Sequence, residues 1–374
     1  MRDTSAALPD VLKGSFDFWY VADLIGDGNR VLKDITLLDP SFSSDGDSLV
    51  QETGSCTIVY SGDFAETIAP TDIGDVLAPY GNRLQVSIMV TDGPGFQERI
   101  PLGTYLISET PTIHTERFVF NTAIVSRGDR IDLTLKDLFY GVQRDRFDVP
   151  GVAPDLSSTW KEYQRLMGFP VTRTVVDAPI STAVAYQEDK LQAAYDLAAV
   201  LDATACMRPD GTASMRPNVW PAPVDVLSSG DMDSEGTLIS AERGMSNDNV
   251  YNKVVVRTNG SDGSAVLASA AVTSGPLRAS NADGSLSPYR TVPYFVSSDY
   301  ITTQAQATDY ATTLLPRVSR LRSLEVVLTE KFNPRREIGD VLDVRRLGER
   351  FQGRIKKIRR GTSGAQITTV AVNP

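Results

Sequence analysis

The chain has 374 residues, 41% hydrophobic and 22% charged, with 47 acidic against 37 basic side chains and a formal net charge of −10. Such a chain is globular, long enough for two or three domains, and is not disordered. Its acidic balance argues against duplex nucleic acid as a general partner. No apolar run approaches a membrane span, and MRDTSAALPD lacks the apolar core of a signal peptide, so a soluble cytosolic product is expected.

Residues 15–130 read as successive strands. Phe16–Val21 and Arg30–Leu32 flank a Gly26-Asp27-Gly28-Asn29 turn, a hairpin signature, and Ser55–Tyr60 and Arg117–Val125 continue the pattern. In Leu84–Val90 the residues Leu84, Val86, Ile88 and Val90 alternate with Gln85, Ser87 and Met89, the period of a half-buried antiparallel strand. A turn over Thr91–Gly95 returns the chain into Ile100–Ile107. Repeated hairpins with one apolar face need a facing sheet or closure, so this part is a β-barrel or sandwich.

The middle, 131–228, is a small α+β unit. Thr159-Trp160-Lys161-Glu162 has capping-box spacing and opens a helix ending near Gly168. A second helix, Gln187–Asp202, carries Leu191, Ala194, Tyr195, Ala198 and Leu201 on one face as a packing stripe. A hairpin follows, turning at Pro209-Asp210-Gly211, and Pro217, Pro221 and Pro223 mark a boundary.

The last third returns to strands: Val250–Thr258, Val266–Val272, Leu324–Thr329, Val341–Arg345, Arg354–Arg359 and Gln366–Val372. One helix interrupts them, opened by the capping box Thr303–Gln306 and due to kink or end at Pro316. Glu337–Leu342 sets a Gly-Asp turn before a strand. The expected domains are 1–130, 131–228 and 229–374, two β-rich parts bracketing an α+β insert, a weak duplication supported by pattern alone.

Charge is uneven along the chain. Residues 1–134 carry 9 basic and 20 acidic side chains, residues 231–374 carry 19 and 15, and residues 317–360 carry 14 and 6. The acidic front and basic back are either complementary surfaces of an assembly stacked head to tail or solvated strand faces. Arg335, Arg336, Arg345 and Arg346 are the candidate interface residues of the basic part, which lacks the interleaved aromatics of a single-strand binding platform.

Chemistry is sparse. The one histidine, His114, lies in an alternating strand, and no Gly-x-Ser-x-Gly elbow, phosphate-binding loop or dinucleotide fingerprint occurs. Cys56 and Cys206 have no neighbour at metal-ligand spacing and read as buried thiols without a disulfide. Asp231-Met232-Asp233-Ser234-Glu235-Gly236 with Glu242 at position twelve nearly fits a calcium loop, but Glu at five and Ile239 at nine depart from it, and an acidic surface turn is the plainer reading. No catalytic residue, metal ligand or cofactor site is assigned. With 47 acidic residues, carboxylate pairs for glycoside hydrolysis are always on offer, and none can be chosen without geometry.

The segments Ile73–Val90, containing Pro79-Tyr80-Gly81, and Glu98–Ile107, containing Pro101-Leu102-Gly103, resemble the tail-tip hub family (minor tail or baseplate hub proteins) of long-tailed bacteriophages. So do Leu238–Ala241 through Asn249–Val256, with Tyr251 and Asn252; Ser297–Ala307; and Asn333-Pro334 with Ile338–Val341, including Gly339 and Asp340. Their order and spacing match the family over most of the chain, while Phe16–Leu38 matches less clearly. The resemblance implies a mainly β fold: two tail-tube-like β-barrel domains bracketing the α+β insert. It implies a homotrimer at the tail tip of the virion, assembled in the host cytoplasm and adapting a sixfold tube to a threefold tip. Implied neighbours are a distal tail protein, the C-terminal end of a tape-measure protein, and a tip or central fibre protein, with DNA only in transit. Some relatives carry a fused peptidoglycan hydrolase, which is not expected in this chain. The competing readings are a carbohydrate- or receptor-binding tail protein and a muralytic glycosidase.

Overall fold

The computed structural model describes residues 1–60, 67–93, 95–180, 184–230, 236–244, 247, 250–259, 265–297, 303–319, 325–346 and 348–372. Their contacts divide the chain into two compact units. The first comprises Met1–Ala241 and Val327–Val370, and the second Glu242–Val326 and Ala371–Pro374.

The first unit opens with a short helix that the sequence did not announce, α1 (Leu8–Lys13). Six strands follow: β1 (Asp17–Gly26), β2 (Asn29–Asp45), β3 (Glu52–Tyr60), β4 (Arg83–Thr91), β5 (Gln97–Phe120) and β6 (Ala123–Asp137). Every pairing is antiparallel: β1 with β4, β4 with β5, β5 with β6, β6 with β3, β3 with β2, and β2 with β1. The pairing thus returns to its start and leaves this circuit without a free edge. The expected alternation holds, since Leu84, Val86, Ile88 and Val90 are all buried, facing Tyr20, Leu24, Ile58, Ile131 and Leu133 in one core.

Two turns show why the circuit closes. Gly26 pairs with Asn29, and Asp27 and Gly28 both take positive φ, the mirror-image turn that fits strand twist. Asn121 and Thr122 do the same between Phe120 and Ala123. The single strand expected over Arg117–Val125 is therefore a hairpin, hidden because Thr stands where Gly normally signals the turn. Pro101-Leu102-Gly103 lies within β5 at a bulge: Gly103 faces Val86 and Pro101 faces Ser87, leaving Leu102 as the extra residue.

The insert contains α2 (Phe139–Arg144), β7 (Gly151–Val152), α3 (Thr159–Met167), β8 (Ala185–Tyr186), α4 (Lys190–Val200), β9 (Ala203–Met207) and β10 (Ala213–Pro217). Phe139, Trp160, Tyr163, Leu191, Leu197 and Met215 belong to its own core. The cap of α3 is Ser158, one residue before the expected Thr159: its side chain accepts from the Lys161 amide. Gly168, left-handed at φ 69°, ends that helix.

Next come β11 (Asp225–Ser228) and β12 (Leu238–Gly244). In the second unit, β13 (Lys253–Asn259) lies between β14 (Ala265–Ala271), antiparallel, and β15 (Pro293–Val296), parallel. Helix α5 (Gln304–Val318) sets Ala307 and Ala311 against Val254, Val256 and Ala268. Its Thr303–Gln306 capping box is present. Pro316 sits in the last turn of the helix, which ends two residues later at Val318.

The chain then completes the first unit with β16 (Glu325–Lys331), β17 (Val341–Arg346), β18 (Glu349–Arg360) and β19 (Ala365–Val372). Here the strand order is β2-β18-β19-β16-β12, with β17 beside β18 and β11 parallel to β17. Phe332, just after β16, stacks on Phe18 at 3.8 Å and fills the core of the six-strand circuit.

Candidate functional site

Alternation also governs β16, where Val326, Leu328 and Glu330 take the inward positions, and β19, where Gln366, Thr368 and Val370 do. Three of those six side chains are polar, so the interior must satisfy them. Glu330 Oε1 accepts from Gln366 Nε2 (2.9 Å) and Thr368 Oγ1 (2.6 Å), and Oε2 accepts from Arg336 Nη2 (3.1 Å). Arg336 Nη1 donates to Asp225 on β11 at 2.8 Å. Burial alone would lower the Arg336 pKa, but the Glu330 and Asp225 charges outweigh it and hold the guanidinium in its charged form.

The N-terminal strap enters the same interior. Arg2 Nη1 donates to the carbonyls of Pro334 (2.7 Å) and Arg336 (2.8 Å), and Nη2 to that of Leu102 (3.3 Å), the bulge residue of β5. Arg360, at the end of β18, donates to the Arg336 carbonyl at 2.6 Å. Burial, then the neighbouring Arg2 charge, pulls its pKa down to about 10. Lys331 anchors α1 by donating to the carbonyls of Lys13 and Gly14. One strap thus ties β5 to the segment between β16 and β17.

A carboxyl pair lies where the six-strand circuit meets the insert. Asp137 accepts from the amides of Glu52 (2.8 Å) and Phe139 (2.9 Å), and Ser44 donates to Glu52 at 2.5 Å. Burial pushes Asp137 up to about 7, against the pull of the Glu52 amide, and burial likewise raises Glu52. Next to them Gln51 donates to the carbonyl of Ala205 and to Tyr195, binding β3 to the insert.

The motif residues singled out in the sequence occupy structural positions. Pro79-Tyr80-Gly81 is a turn with Tyr80 exposed, held by Asn82, which donates to the carbonyls of Asp75 and Ala78. Asn252 is fully buried in the second unit: Nδ2 donates to the Leu277 and Arg290 carbonyls, and Oδ1 accepts from the Val292 amide. Tyr251 meets Tyr294 edge to face. Gly339-Asp340 forms the expected turn before β17, with Asp340 accepting from the Glu337 amide and the Met1 amino group.

The basic back is largely answered within the chain. Arg336 is interior and does not belong to the expected surface set; Arg345 and Arg350 share Asp343, whose pKa the Arg350 hydrogen bond lowers most. Lys356 and Lys357 pair with Asp47 and Asp45 of the acidic front. Arg346 remains exposed and reaches the Ala241 carbonyl, and Arg335 is half-buried. Residues 231–235 of the acidic cation-loop pattern lie outside the described residues. Among the described residues no group of three His, Cys, Asp or Glu is placed to hold a metal, and no helix is long and apolar enough to cross a membrane. Cys56 and Cys206 are free and buried, and burial raises both thiol pKa values.

The polar seam of Arg2, Glu52, Asp137, Glu330 and Arg360 was missed in the sequence. Only Glu330 left a trace there, as the next inward position after Val326 and Leu328.

Exposed apolar residues gather on the β5–β6 hairpin. Among the described residues β6 pairs with β3 as far as Asp129, and β5 and β6 pair with each other to Phe120 and Ala123. Ile113, Phe118 and Val119 on this ribbon are exposed, Val119 by 72%.

As a whole the chain is similar to the tail protein from Neisseria meningitidis MC58, with a TM-score of 0.61 at 13% identity, over 95% of this chain and 97% of that one. It is similar to the 43 kDa tail protein of prophage MuSo2 from Shewanella oneidensis, with a TM-score of 0.59 at 12% identity, over 95% of this chain and all of that one. The chain has the fold of these tail proteins. No family model matches it, and no curated protein matches its sequence. At 12–13% identity the likeness is one of fold, and it runs from end to end.

Proposed function

We propose that this chain is a structural protein of a phage tail, the hub at the tail tip. The observation that carries the proposal is the end-to-end likeness of fold to two tail proteins. In this reading 1–130 forms a first tube-like barrel that takes in most of the six-strand circuit, 131–228 an insert, and 229–374 a second tube-like barrel with one helix. Three copies form a homotrimer that adapts a sixfold tube to a threefold tip and closes it until DNA ejection. The distal tail protein lies above, the tape-measure end in the lumen, and a tip or central fibre protein below. The chain acts by shape instead of catalysis, and takes part in host attachment at the virion tail tip after assembly in the host cytoplasm. The exposed apolar side chains of the β5–β6 hairpin suit contact between neighbouring copies, as such a patch favours a covering surface.

Native mass spectrometry of the purified chain, alone and with the tail proteins encoded beside it, tests this reading. A trimer, alone or formed with those partners, is expected. A strict monomer in every mixture that binds cell-surface sugar saturably would replace it with a receptor-binding protein. Cell-wall lysis lost on changing a single Asp or Glu would replace it with an enzyme.

A further inference from the structure

The chain leaves the six-strand circuit for the insert at Asp137, the last residue of β6, and the contacts that fix the crossing converge there. One Asp137 oxygen accepts from the Glu52 amide of β3 and the other from the Phe139 amide of α2. The turn between β2 and β3 reaches into the insert: Leu49 and Val50 pack on its core, and Tyr195 of α4 donates to the Leu49 carbonyl at 2.9 Å. Gln51 adds its bond to the Ala205 carbonyl of β9. Among the described residues β7–β8 and β9–β10 form sheets of their own, so no shared ladder joins the insert to the circuit. The joint is a set of side-chain and turn contacts between two separately packed cores.

The group at the centre of that joint is a carboxyl without a counter-charge. Asp137 is 1% exposed and has no ion pair among the described residues, and neither has Glu52 beside it. Tyr105 of β5, Tyr163 of α3 and Tyr195 of α4 face Asp137, with Cys206 of β9 next to the two insert tyrosines. Burial raises the pKa of all four, so none of them titrates near neutrality. Burial also raises the Glu52 pKa, against the charges of Arg2, Arg360 and Arg216, and Arg208 and Glu337 line the same narrow space. For Asp137 burial outweighs the amides of Glu52, Phe139 and Gln51, and the Glu52 charge adds to it. A carboxyl in this setting stays protonated and ionises readily only where water reaches it. Opening the joint supplies that water, and the circuit's closed ladder and the insert's own core each survive the opening.

We propose that Asp137 is a pH-sensitive latch: protonated, it holds β3 to α2, and its ionisation releases the insert from the circuit while both stay folded. The proposal does not rest on the tail-hub reading.

Hydrogen exchange of the full chain, read by mass spectrometry from pH 5 to pH 8 and corrected for the intrinsic pH dependence of exchange, tests the latch. Opening of peptides spanning 46–52 and 138–145 is expected to rise about tenfold per pH unit up to about pH 7 and to level off above it. At every pH β4 should stay better protected than the joint, by about a hundredfold or more. Asp137→Asn should remove most of the rise. Glu52→Gln, which takes away one of the two opposing charges and keeps the shape, should lessen it, and carries the test if Asp137→Asn does not fold. Joint peptides whose opening is flat with pH would overturn the proposal. So would exchange of β4 together with the joint, which would mean global unfolding, or a rise of undiminished size in the variants.

Discussion

Asp137 closes strand β6 and caps the turn into the insert, and its position makes folding proton-linked. The folded carboxyl keeps its proton up to about pH 7, while in the unfolded chain it releases it near 3.9. Between those values the native state binds more protons. The stabilisation is therefore complete below the unfolded pKa and drains away as pH rises to about 7. Urea midpoints of the wild-type chain should fall from pH 5 to pH 8, and in Asp137→Asn the fall should be smaller, Glu52 retaining part of it. A midpoint that falls equally in both would remove Asp137 from the effect. Asn252 acts at the same scale in the second unit. Removing its amide leaves the Val292 amide and two carbonyls without partners, so Asn252→Ala should cost about 2–4 kcal/mol. Hydrogen exchange should then show lost protection in β13 and β15 and none lost in β4 or α3.

Among the elements, those with unbroken periodicity were legible. The β4 alternation and the β9–β10 hairpin stand where the residues put them, and so does the α4 stripe except at its end, since the helix spans Lys190–Val200 instead of Gln187–Asp202 and Leu201 falls at its C-cap. Strand β2 was not, because Asp34 and Asp39 take positive φ and the pairing slips between Leu38 and Ser41, which scrambles its period. Nor was the strap: Arg2 and its partners at 334–336 are separated by most of the chain, and no local pattern records such a contact. Arg216 was equally silent, an ordinary hairpin residue until the fold sets its stem against Gly339. The β5–β6 ribbon yields a prediction of its own. Val119→Asp adds a charge at an exposed position, so the chain's own stability should change by no more than about 0.5 kcal/mol. Its self-association, read by light scattering, should be lost if the ribbon packs on a neighbouring copy.

At the scale of the molecule, the acidic front and basic back meet inside one chain through Asp45, Asp47, Lys356 and Lys357, so their contrast describes folding before it describes assembly. The second unit departs from the first at Ala241 and rejoins it at Val327, on strands β12 and β16, which are neighbours in the sheet. Replacing residues 242–326 by a short Gly-Ser linker should leave a first unit that unfolds in one cooperative step, as calorimetry would show. Several overlapping transitions would mean that the excised residues support its core. Phe332 gives the first core a schedule as well as a side chain. The six strands that it packs against are complete by Asp137, yet the ring that finishes their interior is nearly two hundred residues further on. At about 10 residues per second a ribosome needs on the order of twenty seconds to reach it. During that interval the front of the nascent chain has its strands but an unplugged interior, so completion of the early fold is timed by synthesis of the last third.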